Sequence, residues 1–102
     1  MESFITNIVN DALIGIDYKK IILFGSRARG DNREDSDYDL LIVVSEDMDI
    51  ENKFIIKRNP RKRLAKELID ADIIIKSAKE YNLLKDLKGS IIQMAGKEGV
   101  LL

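Results

Sequence analysis

The chain has 102 residues, of which 17 are basic and 18 acidic, and it contains neither cysteine nor histidine. The near-zero net charge does not favour a nucleic-acid-binding or membrane-surface protein. The missing residue types exclude disulfides, thiolate and imidazole metal ligands, and catalysis by cysteine or histidine. Any bound metal must therefore have oxygen ligands, which favours Mg²⁺, Mn²⁺ or Ca²⁺ over zinc.

The length and the short apolar runs predict a single domain over residues 1–102. No run approaches the roughly 20 apolar residues needed to span a bilayer. The first residues lack the basic and apolar regions of a signal peptide. We therefore expect a cytoplasmic protein without a membrane segment.

The N-terminal half predicts one helix and two strands. Apolar residues at three- and four-residue spacing indicate an amphipathic helix over residues 2–13, which Gly15 ends. Ile21–Phe24 is a uniformly apolar run, typical of a strand covered on both faces, and Asp39–Val44 is again a strand of this buried type. The polar residues 26–36 between them are expected to form a loop.

The C-terminal half predicts helices around a third strand. Asn59-Pro60 is a common start of a helix, so a separate helix is expected from Pro60 to Ile69, whereas residues 51–58 fit either a helix or a strand. The remaining expected elements are a strand over Ala71–Ile75, a helix from the capping box of Ser77 and Glu80 to about Leu87, a helix over Ile91–Ala95, and a terminal apolar segment, Val100–Leu102, that fits an edge strand or a protein interface.

Together these elements predict an α/β (α+β) fold. Helices alternate with three short buried strands, to which the terminal segment can add a fourth. Such a chain buries its apolar residues by packing helices against a sheet. The predicted fold class is therefore a small mixed β-sheet of three to four strands flanked by helices.

Three aspartates are the first candidates for chemistry. Asp37 and Asp39 are two residues apart at the start of a strand, so their side chains are expected on the same face. Asp72 is the only charged residue inside the third apolar strand. If that strand lies beside the second, the three carboxylates can hold one or two divalent cations, as in phosphoryl or nucleotidyl transfer. The simpler alternative is that Asp37 is a turn residue, Asp39 a solvated strand start and Asp72 a charge at a strand edge.

The segment that follows the first strand is the second candidate. Gly25 permits a turn that a Cβ would hinder, and backbone amides with the Ser26 hydroxyl can bind the phosphates of a nucleotide. Arg27, Arg29 and Arg33 follow closely and can neutralise phosphate charge. For Arg33 we prefer the alternative, a solvated loop residue that balances nearby acidic side chains.

The combination of these features is more specific than any one of them. Gly25-Ser26, ten residues, Asp37-x-Asp39 and a later strand aspartate resemble the pattern of the nucleotidyltransferase superfamily related to DNA polymerase β. The segments Gly25-Ser-Arg-Ala-Arg-Gly30 and Asp35-Ser-Asp37-Tyr-Asp39 more closely resemble the minimal nucleotidyltransferases (MNT), and the similarity extends over nearly the whole chain. Pro60 departs from the continuous helix of that family.

The resemblance implies specific roles. Gly25 and Ser26, with Arg27 and Arg29, would bind ATP, Asp37 and Asp39 would bind Mg²⁺, and Asp72 would complete the metal site and deprotonate the attacking hydroxyl. Members of the family act as antitoxins that transfer AMP from ATP to a tyrosine of a HEPN-type ribonuclease toxin. The implied partner is therefore such a toxin, in a hetero-oligomer, with no direct binding of nucleic acid.

Two alternatives remain open at this point. The chain could be a non-catalytic antitoxin that neutralises its partner by forming a complex, although a pure binding protein has no need of three clustered aspartates.

The second open question is the role of a basic segment. It contains Lys57, Arg58, Arg61, Lys62, Arg63 and Lys66. A solvated helix face is the simpler interpretation, and an acidic partner surface or RNA is the alternative.

Overall fold

The computed structural model describes residues 2–102 and contains five helices and four strands within that range. In chain order they are α1 (Glu2–Ala12), β1 (Tyr18–Phe24), α2 (Ser26–Arg29), β2 (Tyr38–Val44), α3 (Ile50–Lys66), β3 (Ala71–Ser77), α4 (Ala78–Leu84), α5 (Ile91–Glu98) and β4 (Val100–Leu101).

The four strands form one mixed sheet in the order β3-β2-β1-β4. The β1 strand runs antiparallel to both β2 and β4, while β2 and β3 are parallel. Parallel neighbours need a long crossover connection, which α3 provides. The predicted mixed sheet flanked by helices is confirmed, and the terminal apolar segment forms an edge strand.

Helices cover both faces of the sheet because the central strands are apolar at every position from Ile21 to Phe24 and from Leu40 to Val44. On one face, Ile21, Leu23 and Leu40 pack with Ile5 and Leu64 from α1 and α3. On the other face the buried cluster comprises Ile22, Phe24, Leu41, Val43, Ile92 and Ala95. Successive strand residues point to opposite faces, so an uninterrupted apolar run fills both layers. Each fully buried large side chain contributes about 1.5–3 kcal/mol.

The prediction that a new helix starts at Pro60 is wrong, as is the strand alternative for residues 51–58. The α3 helix is continuous through Pro60. Its start is fixed by Asp49, whose side chain accepts a 2.8 Å hydrogen bond from the Asn52 amide. Asn59 is not a cap; its side-chain amide donates to the carbonyl of Ala12 in α1. An internal proline costs about 3 kcal/mol, and burial of Pro60 against the core side of α3 offsets that cost.

Several predicted boundaries also differ from the structure. The β1 strand begins at Tyr18 rather than Ile21, and a one-turn helix, α2, occupies the first part of the predicted loop. The α4 helix ends at Leu84, and α5 continues to Glu98. Among residues 2–102, no helix combines the length and the apolar character that crossing a bilayer would require.

The capping box predicted at the start of α4 is confirmed. The Ser77 hydroxyl accepts from the Glu80 amide, and the Glu80 carboxylate accepts from the Ser77 amide. The same carboxylate lies 2.6 Å from Nζ of Lys53 in α3. Burial raises the pKa of Glu80, but the hydrogen bonds from Lys53 and Ser77 outweigh it and leave the pKa below its usual value. This contact joins α3 to the end of β3.

Candidate active site

The strand register brings two of the three candidate aspartates together. The β2 and β3 strands are parallel neighbours, and Asp39 pairs directly with Asp72. Asp39 is half-buried and Asp72 is exposed. Asp37 lies just before β2 and is also exposed. The three carboxylates thus lie at one end of the sheet, where the start of β2 meets the start of β3.

The ionisation of Asp39 reflects this arrangement. Partial burial is the main cause that raises its pKa above the usual value, and the charges of Asp72 and then Asp37 raise it further. Arg29 acts in the opposite direction. A carboxylate with two acidic neighbours is less easily ionised, because each added negative charge repels the others.

Gly25 connects the end of β1 to this carboxylate. Phe24, the last residue of β1, pairs with Asp39. Gly25 follows with φ 74° and ψ −159°, a conformation almost restricted to glycine. A Cβ at this position would lie 2.2 Å from Oδ2 of Asp39. Only glycine therefore allows the backbone to pass so close to the carboxylate.

Ser26 begins α2, which lies directly after this glycine. The first turn of a helix leaves backbone amides without partners in the helix. Gly25 is the N-cap, and no side chain within residues 2–102 caps this helix through a hydrogen bond. Gly30 ends the helix in the left-handed conformation, with its amide donating to the carbonyl of Ser26. The turn is therefore bounded by a glycine at each end.

Arg27 stabilises the loop in the structure. Its guanidinium donates to the carbonyls of Ser36 and Glu34 at 2.9–3.2 Å. It also lies over the ring of Tyr38, 4.5 Å from the centroid. The guanidinium thus fixes the residues that lead into Asp37. The sequence did not indicate that Arg27 would hold this loop in place.

Arg29 and Arg33 differ in their contacts. Arg29 lies 3.2 Å from Asp31 and 2.9 Å from Glu98 at the end of α5. The hydrogen bond to Asp31 is the main cause that raises the pKa of Arg29. The positive charge of Arg29 also acts to lower the pKa of Asp39. Arg33 is exposed, as expected of a solvated loop residue.

Sequence reasoning missed two residues of this region. Tyr38 stacks on Arg27, and the alternation of side chains along β2 could have placed it opposite to its two aspartate neighbours. Glu98 binds Arg29 from 69 residues away. No local pattern in the chain indicates this pairing, because it depends on how α5 packs beside β1.

The donor set is compatible with a hard divalent cation. Within residues 2–102, no three acidic side chains are gathered into a preformed metal site. Carboxylate oxygens are nevertheless the ligands that Mg²⁺ prefers. Asp39 and Asp72 lie opposite each other on neighbouring strands, and a cation between them would relieve the repulsion of the two carboxylates. Asp39 and Asp72, with Asp37, are the residues that would hold it.

These features define an α+β nucleotidyltransferase scaffold with an acidic site beside a glycine turn. Residues 7–97 match the family model described as "Polymerase beta, Nucleotidyltransferase". This match covers most of the chain. The chain therefore belongs to the polymerase β-type nucleotidyltransferase family.

Two relatives come from Methanocaldococcus jannaschii. "Putative protein adenylyltransferase MJ0141" is 37% identical over 70 residues, which cover 68% of this chain and 71% of the relative. "Putative protein adenylyltransferase MJ0604" is 68% identical over 31 residues, which cover 30% of this chain. The second match spans only 31% of that relative's length.

Solved structures share the fold at low sequence identity. A crystal structure of a toxin–antitoxin with AMP-PNP has a TM-score of 0.62 at 20% identity, over 93% of this chain and 69% of the other. A "putative nucleotidyltransferase" from Sulfolobus solfataricus gives 0.60 at 23% identity, over 93% and 72%. A complex of tri-AMPylated Shewanella oneidensis HEPN toxin with MNT antitoxin gives 0.52 at 17% identity, over 98% and 66%. These similarities support the fold.

Proposed function

We propose that this chain transfers AMP from ATP to a hydroxyl of a partner protein, a tyrosine of a HEPN-type toxin, and thereby acts as an antitoxin. The observation that carries the proposal is the placement of Gly25 and Asp72 on opposite sides of Asp39. A glycine turn suited to phosphates thus adjoins paired carboxylates. The names of the relatives and the fold shared with MNT antitoxins agree with it.

Each residue has a role in this proposal. Gly25 and Ser26 would face the phosphates of ATP, and Arg29 would balance their charge at the rim. Asp72 would accept the proton of the attacking hydroxyl, whose oxygen bonds to the α-phosphorus while the bond to pyrophosphate breaks. Asp37 and Asp39, with Asp72, would hold Mg²⁺. When bound, this ion neutralises negative charge on the phosphates.

Label transfer tests the proposal directly. The purified chain is incubated with α-labelled ATP, Mg²⁺ and the product of the neighbouring gene, and label is sought on protein. We expect label on a tyrosine of the partner. Asp39→Asn should abolish transfer, whereas Asp86→Asn, an exposed change outside the site, should retain it.

The other outcomes are equally informative. Transfer that persists in Asp39→Asn would contradict the assignment of this site. A tight complex that silences the partner without label would make the chain a non-catalytic binding protein. Label on nucleic acid rather than protein would replace the proposed acceptor.

A further inference from the structure

The charges of this nearly neutral chain are strongly segregated. The α3 helix contains seven basic residues and one acidic residue, Glu51. The whole chain has 17 basic and 18 acidic residues, which leaves 10 basic and 17 acidic residues outside this helix. The helix is therefore a cationic element on an otherwise acidic protein, which the net charge conceals.

One side of this helix forms a cationic hollow with an apolar centre. The hollow has a volume of about 410 Å³ and is lined by Phe54, Lys57, Arg58, Arg61, Lys62 and Ala65. Phe54 is 54% exposed. The Lys57 ammonium lies 5.2 Å and the Arg58 guanidinium 6.0 Å from the centroid of its ring. An exposed aromatic ring among cations offers both apolar and electrostatic contacts.

The hollow continues to the free edge of the sheet. A second hollow of about 210 Å³ shares Phe54 and Lys57 and is also lined by Ile50 and by Ile73–Ile75 of β3. We call the two hollows together the α3 groove. The β3 strand is at the edge of the sheet, and Ile73 directly follows Asp72. The α3 groove therefore reaches the edge strand that carries Asp72.

We propose that the α3 groove docks an acidic segment of the acceptor protein and so directs its hydroxyl toward Asp72. This inference rests on the proposed function. The excess of basic residues on α3 selects negative charge, and the exposed Phe54 and Ile50 select apolar side chains among those charges. An edge strand also offers backbone groups to an extended peptide.

A protein segment fits the α3 groove better than RNA. The groove ends at the strand that carries Asp72, and Asp72 pairs with Asp39. A polyphosphate backbone that continued from the groove along this strand would approach these two carboxylates and be repelled unless a cation lay between them. A peptide can carry its acidic residues over α3 and present a neutral hydroxyl near Asp72.

Peptide binding to the full chain tests this surface. The probe is a fluorescein-labelled peptide in which Glu alternates with Leu around one Tyr, and fluorescence anisotropy reports binding. We expect Arg58→Glu/Lys62→Glu to weaken binding at least about tenfold. The matched control, Arg63→Glu/Lys66→Glu, makes the same charge change on the same helix, at residues that line a different hollow with Ile8 and Asp11.

Further arms distinguish the possible occupants and keep the test independent of catalysis. Peptide binding is measured without ATP or Mg²⁺, so its result stands even if the label-transfer assay fails. Thermal unfolding of each variant confirms that the fold is retained. Four outcomes would each overturn the proposal. The two double variants could weaken binding equally, or a peptide with Gln in place of Glu could bind as tightly as the original. A uridine oligonucleotide could bind more tightly than the peptide, or sedimentation could show that the chain self-associates through the α3 groove.

Discussion

Gly25 approaches Asp39 so closely that a Cβ on the glycine would lie 2.2 Å from the Oδ2 atom of the carboxylate. The contact exists because the last residue of β1, Phe24, pairs with Asp39 at the start of β2. The glycine turn and the acidic cluster are therefore one structural unit. A change in the turn must move the carboxylate.

Replacing Gly25 by alanine should damage both stability and transfer. The φ of 74° and ψ of −159° place Gly25 in a region that costs other residues about 1–3 kcal/mol, and the new Cβ would also displace Asp39. Gly30→Ala is the matched control, since Gly30 has φ 83° but open space around a Cβ. It should lose about 1–2 kcal/mol through backbone strain alone and keep AMP transfer. Urea unfolding and the label-transfer assay compare the two variants. Equal transfer activity in both would contradict the structural link between the glycine turn and Asp39.

Asp39→Asn should raise the melting temperature in metal-free buffer at neutral pH by about 3 °C. Burial and the neighbouring Asp72 and Asp37 raise the pKa of Asp39 in the folded state. The contribution of this carboxyl to stability is thus fully present below the unfolded pKa, near 3.8, and is lost as pH rises through the folded pKa. Asparagine is uncharged at every pH, so the variant does not lose this stability as the pH rises.

The pH dependence provides the check on this second prediction. The stability gain of Asp39→Asn should be largest near neutral pH and disappear below the unfolded pKa, as followed by thermal unfolding across pH. Adding Mg²⁺ should stabilise the unmodified chain more than the variant. A melting temperature that falls at neutral pH without metal would contradict the acidic crowding.

Arg27→Lys should loosen the loop before Asp37 despite conserving charge. Lysine cannot reproduce the bonds of the guanidinium to the carbonyls of Glu34 and Ser36 or its planar stacking on Tyr38. We expect a loss of about 1–2 kcal/mol and faster proteolysis between residues 31 and 37. Arg33→Lys, an exposed change in the same loop, should have neither effect. Identical proteolysis rates in Arg27→Lys and Arg33→Lys would contradict the proposed role of Arg27 in holding the loop.

The sequence predicted the sheet, and the proximity of Asp39 and Asp72, because the strands show short, local patterns. Uninterrupted apolar runs indicated strands covered on both faces, and the parallel placement of β2 and β3 brings Asp72 opposite Asp39. The capping box of Ser77 and Glu80 was also readable, because both partners lie within one helical turn. The metal and nucleotide roles of these residues remain predictions.

What the sequence could not provide depends on packing. The local pattern at Asn59-Pro60 favoured a new helix, but burial of Pro60 and the bond from Asn59 to Ala12 keep α3 continuous. Likewise, Arg27 was expected to face phosphates, and only the folded loop shows the carbonyls that it binds. A long-range contact thus decided the course of α3 against the local preference, while the nucleotide role of Arg27 remains a prediction.

Two glycines near the C-terminus should respond oppositely to alanine. Gly96 lies in α5, where a Cβ would meet only the Tyr81 hydroxyl at 3.6 Å, an ordinary contact. Gly96→Ala should therefore stabilise the chain by about 0.5–1 kcal/mol through helix propensity. A Cβ on Gly99 would lie 2.2 Å from the Ala95 carbonyl oxygen and 2.4 Å from Cγ2 of Ile22.

Gly99→Ala should consequently destabilise the chain by about 1–3 kcal/mol, because α5 and β4 would have to move away from β1. The φ of Gly99 is −76°, so the loss would arise from crowding and not from backbone strain. Urea unfolding of the two variants measures both signs in one experiment. A stabilising Gly99→Ala would mean that β4 is not held against Ile22 as the structure places it, and the two-residue pairing of β4 with β1 would then contribute little to the fold.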